Sequence, residues 1–326
     1  MVIVKQKKMK KIVIISAMLM VLCACEHDIV RKTDFNVTLD AENTYFAGEP
    51  VRFNFKGEVD NVIFYSGETG SEYKYKDRYT VPFENVTSAN LAMKFQARYG
   101  NANAMEVWLS NSFEGLNGED GEADRAAIKA MVDGGMQGWT KFNYEEGPST
   151  QWTEQQLDLS DYVQNFAIAF HWCPTDFTQT QRTYWINGSL SLDLEGMGST
   201  LMDISELRFK TVMMNEEIED PYFQNAGNGS IILNTPKTAS LVFQGVGADE
   251  LEYALDGWAI STPMPLNRVA NDKPIVIKNL QNYMDSYEYV WNEAGTYVVT
   301  FVGTNSDYMD ATSEVHEMTI TIIDKF

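Results

Sequence analysis

Cysteine and histidine are scarce in this chain, whose 326 residues contain three of each. Two of the cysteines, Cys23 and Cys25, lie close together near the amino terminus, so a disulfide framework is excluded and stability must come from packed cores. Basic residues are also few, because 25 Lys and Arg oppose 46 Asp and Glu and give a formal charge of −21. A field of that sign repels phosphates, which argues against nucleic-acid binding and against docking on anionic lipid through a basic patch.

Common catalytic motifs are absent too: the sequence has no Gly-x-Ser-x-Gly, no His-Glu-x-x-His and no phosphate loop. His27 lies in a tether and His316 on a predicted terminal strand, so a Ser/His/Asp triad would have to use His171. A glycosidase carboxylate pair stays open, because the required separation is a three-dimensional property. We therefore expect a protein that is not an enzyme.

The amino-terminal sequence predicts a targeting signal. Lysines precede the uncharged apolar run Ile12 to Leu22, whose eleven residues are too few to cross a bilayer as a helix. The next residues, Leu22-Cys23-Ala24-Cys25, resemble a bacterial lipobox. That resemblance implies that residues 1–24 are a signal peptide and that acylated Cys25 becomes the first mature residue. Acyl chains anchor a protein through buried methylenes at ~0.8 kcal/mol each, without a spanning helix. An ordinary secretory signal is the alternative.

The residues after Cys25 also bear on location. Glu26 and Asp28 resemble the acidic signal by which Bacteroidetes lipoproteins are exported to the outer face of the outer membrane. We expect contact with the membrane through the lipid alone, and exposure of the protein on the cell surface.

After a polar tether at 25–34, alternating apolar and polar residues predict strands. Phe35, Val37 and Leu39 alternate with polar residues, and so do Val51 and Phe53. Because turn residues separate these runs and no helical period is present, the sequence predicts a small immunoglobulin-like β-sandwich over residues 35–86.

Longer alternating segments continue over residues 87–235. A single helix is predicted at Ala123 to Val132, after acidic residues that favour its amino end and before Gly134-Gly135. One helix among many strands predicts a jelly-roll sandwich, similar to galactose-binding domains, as the domain that binds a ligand.

The last segment, 236–326, reads as a third sandwich and gives an all-β chain. Its most informative stretch is Tyr287-Glu-Tyr-Val-Trp-Asn-Glu-Ala-Gly-Thr-Tyr-Val-Val-Thr-Phe-Val302. There a strand enters a Gly turn and Tyr297 begins the next strand, where its hydroxyl can bond back to the loop as in a tyrosine corner. This pattern resembles PKD-type domains, and we expect a PKD-like module at each end of the mature chain.

Several segments in combination resemble one family. They are Phe64-Tyr-Ser-Gly-Glu-Thr-Gly-Ser-Glu-Tyr-Lys-Tyr-Lys-Asp-Arg78, Trp152-Thr-Glu-Gln-Gln-Leu-Asp-Leu-Ser-Asp-Tyr162, Phe166-Ala-Ile-Ala-Phe170 and Gly257-Trp-Ala-Ile-Ser261. The mature chain resembles Bacteroidetes outer-membrane lipoproteins whose central domain is catalogued as a domain of unknown function, number five thousand and seventeen. The resemblance implies a location beside starch-utilisation-type importers and their glycan-binding lipoproteins, and it brings no established ligand.

Flat aromatic rings beside carboxylates and amides are the side chains that bind sugars, because pyranose C–H groups pack on ring faces and polar groups bond the hydroxyls. The turn-rich segment 139–152 supplies both kinds: Trp139, Tyr144, Glu145, Glu146, Gln151 and Trp152. Trp185 is a further candidate, because it falls on the face opposite Tyr184 and Ile186. Packing at the edge of a sandwich is the alternative for these rings. For Trp172 we expect burial in a core, and for Trp258 and Trp291 burial in the core of the last domain.

The acidic run at 117–124 offers oxygen ligands for calcium, although it lacks EF-hand spacing and the helix dipole alone also explains acids at this place. Calcium is thus a possible ligand, and no other cofactor is expected.

The sequence favours a cell-surface lipoprotein that captures oligo- or polysaccharide for an outer-membrane importer. A structural or adhesive lipoprotein of fimbrial type is the alternative, and a glycoside hydrolase is a weaker one.

Overall fold

The computed structural model describes residues 30–40, 44–100, 102–222, 227–235 and 239–325. The expected signal peptide and Cys25 lie outside these residues. Within them, no helix has the length and apolar character that crossing a membrane requires.

Strands are the main regular element of the described residues, which confirms the all-β class expected from the alternating sequence. In chain order the strands and the one α-helix of the described residues are β1 (Asp34–Leu39), β2 (Thr44–Phe46), β3 (Pro50–Glu58), β4 (Asn61–Tyr65), β5 (Val86–Arg98), β6 (Met105–Ser110), α1 (Gly121–Asp133), β7 (Trp139–Phe142), β8 (Trp152–Asp158), β9 (Ala167–Trp172), β10 (Thr183–Leu194), β11 (Gly198–Asp203), β12 (Phe209–Met213), β13 (Ser230–Thr235), β14 (Ala239–Gln244), β15 (Gly257–Ser261), β16 (Ile275–Lys278), β17 (Ser286–Val290), β18 (Gly295–Ser306) and β19 (Ala311–Ile323).

These elements belong to two compact units. Unit 1 combines the described residues up to Asp77 with those from Asn271 onward, and unit 2 comprises Arg78–Ala270. The expectation of three successive sandwiches therefore needs correction. Residues 35–86 and 236–326 do not form separate modules, because β17 pairs with β3 and β18 pairs with β4. Each end of the chain supplies too few strands to cover its apolar faces, and together they close one core.

Unit 1 contains a three-stranded sheet, β1–β3–β17, and a five-stranded sheet, β16–β4–β18–β19–β2. Their inner side chains share one core, in which Phe53, Phe64, Trp291 and Phe301 are fully buried. Alternation explains this burial, since Phe53 lies between two outward polar residues of β3. The tyrosine-corner prediction is also confirmed, because the Tyr297 hydroxyl donates a hydrogen bond to the Glu293 carbonyl at 3.0 Å.

Unit 2 is a sandwich of two larger sheets. The first, here called the β5 sheet, has the order β13–β14–β10–β5–β8, with β11 also paired to β10. The second, the β9 sheet, has the order β12–β15–β9–β6–β7. Leu91 and Tyr184 of the β5 sheet share the core with Phe170 and Trp172 of the β9 sheet, so the expected burial of Trp172 is confirmed.

Helix α1 packs on the outer face of the β9 sheet. The Asp120 side chain caps its first turn by accepting from the Ala123 N–H at 3.1 Å, and Gly135 follows its end with a φ of 71°. Ile128 of α1 is buried in one apolar cluster with Trp258 of β15. The helix prediction at 123–132 is thus confirmed, and Trp258 is buried as expected, although in unit 2.

Candidate functional site

The four aromatic candidates do not form one group. Trp139 lies in β7, half-buried, with its ring centroid 5.0 Å from that of Phe113. Tyr144 stacks on Phe95 of the sandwich core, with ring centroids 4.6 Å apart and planes within 15°. Both rings therefore pack against other rings of unit 2.

Trp152 and Trp185, in contrast, lie on the outer face of the β5 sheet in one row. Gln96 of β5 is directly opposite Trp152 of β8 and also directly opposite Trp185 of β10. Directly opposed residues of antiparallel strands point to the same face, and the neighbouring Phe95 and Tyr184 point into the core. At a strand spacing of ~4.8 Å the two tryptophans are about 10 Å apart. We call Trp152, Gln96 and Trp185 the tryptophan row.

Hydrogen bonds fix the centre of the tryptophan row. Gln96 is 8% exposed; its Nε2 donates to the Thr150 carbonyl at 2.7 Å, and its Oε1 accepts from Arg98 Nη2 at 2.9 Å. The Arg98 guanidinium in turn lies 4.7 Å from the centre of the Trp185 ring, a cation–π contact. Ordered polar groups thus hold the surface around Trp185 in place before any ligand arrives.

Exposure distinguishes the two rings of the row. Trp152 is 43% exposed and is the one exposed tryptophan of the seven, whereas Trp185 is half-buried. Two residues further along the strands, Glu154, Lys94 and Asn187 form a parallel polar row on the same face. An aromatic row beside a row of carboxylate, ammonium and amide groups matches the chemistry of a sugar, which has apolar C–H faces and polar hydroxyls.

Glu146, which the sequence offered as a sugar ligand, has a different role. Its side chain is only 6% exposed, and its Oε2 lies 3.0 Å from Nε of the equally buried Arg182. The Tyr184 hydroxyl donates to the other carboxylate oxygen. Because removing one partner of a buried ion pair is strongly destabilising, this carboxylate holds its loop onto the sandwich and is unavailable to a ligand.

A second polar group, here called the His171 cluster, lies on the outer face of the β9 sheet and comprises Glu106, His171, Cys173 and Asp256. His171 stacks on Trp258 with ring centroids 4.1 Å apart. Its Nε2 is 2.9 Å from Asp256 Oδ1, and its Nδ1 is 3.5 Å from Glu106 Oε2. Ligand atoms of Glu106, His171 and Cys173 all lie within 4.8 Å of one another.

The surroundings of His171 and Glu106 favour the charged forms of these two side chains. Burial lowers the pKa of His171, but the hydrogen bond with Asp256 and the nearby Cys173 outweigh it and raise the pKa to about 10. Burial raises the pKa of Glu106, whereas hydrogen bonds from Lys141 and Trp108 outweigh that effect and hold the pKa below its usual value. Sequence reasoning reached His171 only as the one available catalytic base, and it missed Gln96, Arg98, Glu106 and Asp256.

The acidic segment at 117–124 is used for local structure. Both oxygens of the buried Asp124 accept backbone N–H bonds, from Asn117 at 2.7 Å and Gly118 at 2.8 Å. Asp120 caps α1. No residue of this segment belongs to a group of three His, Cys, Asp or Glu among the described residues that could hold a metal. Calcium binding here stays a prediction.

Two clefts of similar size lie away from the four aromatic candidates. One, of about 450 Å³, is in unit 1 and is lined in part by Phe55, Lys278 and Tyr283. The other, of about 470 Å³, is in unit 2 and is lined in part by Leu201 and Arg208. Neither of these two clefts is lined by a residue of the tryptophan row.

Among known proteins, this chain is similar to a family profile. No curated protein and no solved structure matches it. A family profile described as Domain of unknown function (DUF5017) matches residues 24–208. The match begins before β1 and ends within unit 2, so it coincides with neither unit. Because it covers more than half of the chain, the protein belongs to the DUF5017 family.

Proposed function

We propose that this protein is a cell-surface lipoprotein that binds glycan and presents it to an adjacent outer-membrane importer. The observation that carries the proposal is the tryptophan row, in which an exposed and a half-buried indole flank an ordered glutamine on an open sheet face.

The spacing of the row suits an extended saccharide. The two indoles lie on β8 and β10, which are separated by β5. At a strand spacing of ~4.8 Å they are about 10 Å apart, so they can contact two sugar units of one saccharide chain. Such packing desolvates ring faces and pyranose C–H groups, which contributes roughly 25 cal/mol per Å² of apolar surface buried. Glu154, Lys94 and Asn187 lie where they can bond the hydroxyls of the same ligand.

The anchoring part of the proposal rests on Cys25 and the apolar run before it. Acylation at Cys25 would attach the chain to the outer membrane and leave both units outside the bilayer. Mass spectrometry of the amino-terminal peptide from the membrane fraction tests this part. We expect a diacyl or triacyl Cys25, and an unmodified cysteine would contradict the anchor.

A glycan microarray tests the binding part, with the protein form of residues 26–326, which contains every described residue. Calorimetric titration with the glycan bound on the array then compares three variants. We expect Trp152→Ala and Trp185→Ala each to weaken binding at least tenfold, or about 1.4 kcal/mol. Tyr283→Ala is the matched control, because it removes a 90% exposed ring from unit 1 and leaves the row intact.

The remaining outcomes separate the alternatives. Retention of full affinity by both tryptophan variants would place the glycan elsewhere and overturn the role of the row. Polymerisation without glycan affinity would favour the adhesive function, and release of sugar products would favour hydrolysis.

A further inference from the structure

The His171 cluster brings together three different ligand types, two on paired strands and one just past the end of β9. His171 lies on β9, and Glu106 on β6 is directly opposite it in the antiparallel register. Cys173 follows two residues after His171, so it shares the face of the sheet, and its N–H bonds to the Ala104 carbonyl at 2.8 Å. Strand pairing thus sets the positions of His171 and Glu106, and the backbone bond to Ala104 holds Cys173 just past the end of β9.

We propose that Glu106, His171 and Cys173 form a binding site for one divalent transition-metal ion of the zinc class. An imidazole nitrogen, a thiolate sulfur and a carboxylate oxygen are the donors that zinc takes in proteins, at ~2.0 to 2.3 Å. Ligand atoms already within 4.8 Å of one another need only a small side-chain closure around such an ion. The hard cations calcium and magnesium prefer all-oxygen sites, so this donor set disfavours them.

Asp256 supplies the outer contact that metal-binding histidines use. Its Oδ1 lies 2.9 Å from Nε2 of His171 and accepts that N–H. This bond fixes the tautomer and leaves Nδ1 facing Glu106, as in carboxylate–histidine–zinc arrangements. A metal ion at Nδ1 would replace the proton there, since metal binding requires a deprotonated ligand.

Glu106 is oriented in the same way. Trp108 Nε1 donates to its Oε2 at 3.1 Å, and Lys141 Nζ donates to its Oε1 at 2.5 Å. Lys141 thereby neutralises one oxygen and leaves the other facing His171. Hydrogen bonds to a ligating carboxylate are a regular feature of metal sites, because they hold the oxygen in position.

Access to the cluster is compatible with an ion. The side chains of His171 and Glu106 are 16% and 30% exposed, so solvent reaches the ligand atoms and water could complete the coordination. The cluster lies on the β9 sheet, whereas the tryptophan row lies on the outer face of the β5 sheet. Metal binding and glycan binding can therefore fail independently.

Cobalt(II) is the probe that reports the thiolate directly. In the form of residues 26–326, Cys173 is the only cysteine, so a thiolate-to-cobalt charge-transfer band can arise from no other sulfur. We expect that band to saturate at one cobalt per chain and to disappear when zinc is added. In calorimetry, zinc should bind at one per chain, and Cys173→Ser should weaken it at least tenfold and abolish the cobalt band.

Two further variants separate a metal site from a structural cluster. Asp256→Asn should weaken zinc binding about tenfold to a hundredfold, the usual effect of removing an outer hydrogen bond, while the cobalt band persists at saturation. His316→Asn is the matched control, because it removes a histidine 3.6 Å from a carboxylate in unit 1 and should leave binding unchanged. Circular dichroism checks that each variant is folded.

Four results would overturn the proposal. Three concern metal binding: the absence of a charge-transfer band at saturating cobalt, zinc affinity unchanged in folded Cys173→Ser, and loss of binding in His316→Asn equal to that in Cys173→Ser. Alkylation of Cys173 by iodoacetamide that zinc does not slow would also contradict a metal-bound thiolate.

Discussion

The two outer faces of unit 2 carry tryptophans in opposite settings. On the β9 sheet, Trp258 points outward from the sandwich, yet it is only 1% exposed because α1 packs on that face with Ile128. On the β5 sheet, Trp152 also points outward and is 43% exposed. Tryptophan is therefore part of a second apolar core on the β9 face, whereas on the β5 face it lies on an open surface.

The contribution of an outward-pointing tryptophan to folding stability depends on whether another element covers it. Burying an aromatic side chain under a helix contributes a large share of a unit's stability, since its area is removed from water. An exposed indole contributes little to the free energy of folding, because its apolar surface stays in contact with water. A ligand that covers this surface can then gain the free energy of its burial. Substitutions of the tryptophans on the two faces should therefore differ in their effect on stability.

The largest difference is expected between Trp258→Ala and Trp152→Ala. Removing the buried Trp258 leaves a cavity between α1 and the β9 sheet, and should lower the free energy of unfolding of unit 2 by about 3–5 kcal/mol. Trp152→Ala should change it by less than about 0.5 kcal/mol, as for most surface substitutions. Urea denaturation of the form of residues 26–326 measures both values, and similar losses in the two variants would contradict the distinction.

Part of this arrangement is predictable from sequence and part is not. Alternation places Trp185 outward, because Tyr184 and Ile186 must point into the core. The tryptophan row itself is not predictable, since it depends on the register that sets Trp152 and Trp185 opposite Gln96. Register is set by pairing between strands far apart in the chain, which a single sequence does not reveal.

The turn-rich segment 139–152 shows the same limit from the other side. Its composition favours exposed rings, but Phe113 and Phe95 come from distant positions to pack on Trp139 and Tyr144. Likewise, local pattern gave the tyrosine corner at Tyr297, whereas the union of both chain ends in unit 1 depends on pairing across more than 200 residues. Local chemistry is readable in the sequence, and long-range pairing is not.

A smaller loss of stability is expected from substitutions at Asp124, whose hydrogen bonds hold the loop before α1 and the first turn of the helix. The buried carboxylate of Asp124 accepts the N–H groups of Asn117 and Gly118 and, at 2.7 Å, the Tyr222 hydroxyl. Asp124→Ala leaves these donors unpaired and should cost about 2–3 kcal/mol. Tyr222→Phe removes only one of the bonds and should cost about 1 kcal/mol. Denaturation with both variants tests the order, and a larger loss in Tyr222→Phe would contradict it.

The smallest effect is expected at Arg98, which borders the tryptophan row without being one of its rings. Its guanidinium donates a hydrogen bond to Gln96 and lies 4.7 Å from the Trp185 ring centre. A cation–π contact of this kind contributes about 0.5–1 kcal/mol at a surface. Arg98→Met should therefore weaken glycan binding only about two- to fivefold, less than Trp152→Ala, because the indoles remain but lose a fixed neighbour. Arg98→Lys keeps the charge and loses the planar stack, so it should weaken binding to a similar extent. Calorimetry with the array-selected glycan measures the affinity of both variants. Wild-type affinity in Arg98→Lys would mean that the charge of residue 98 alone matters. The order of the open face would then come from strand pairing and not from the stack of Arg98 on Trp185.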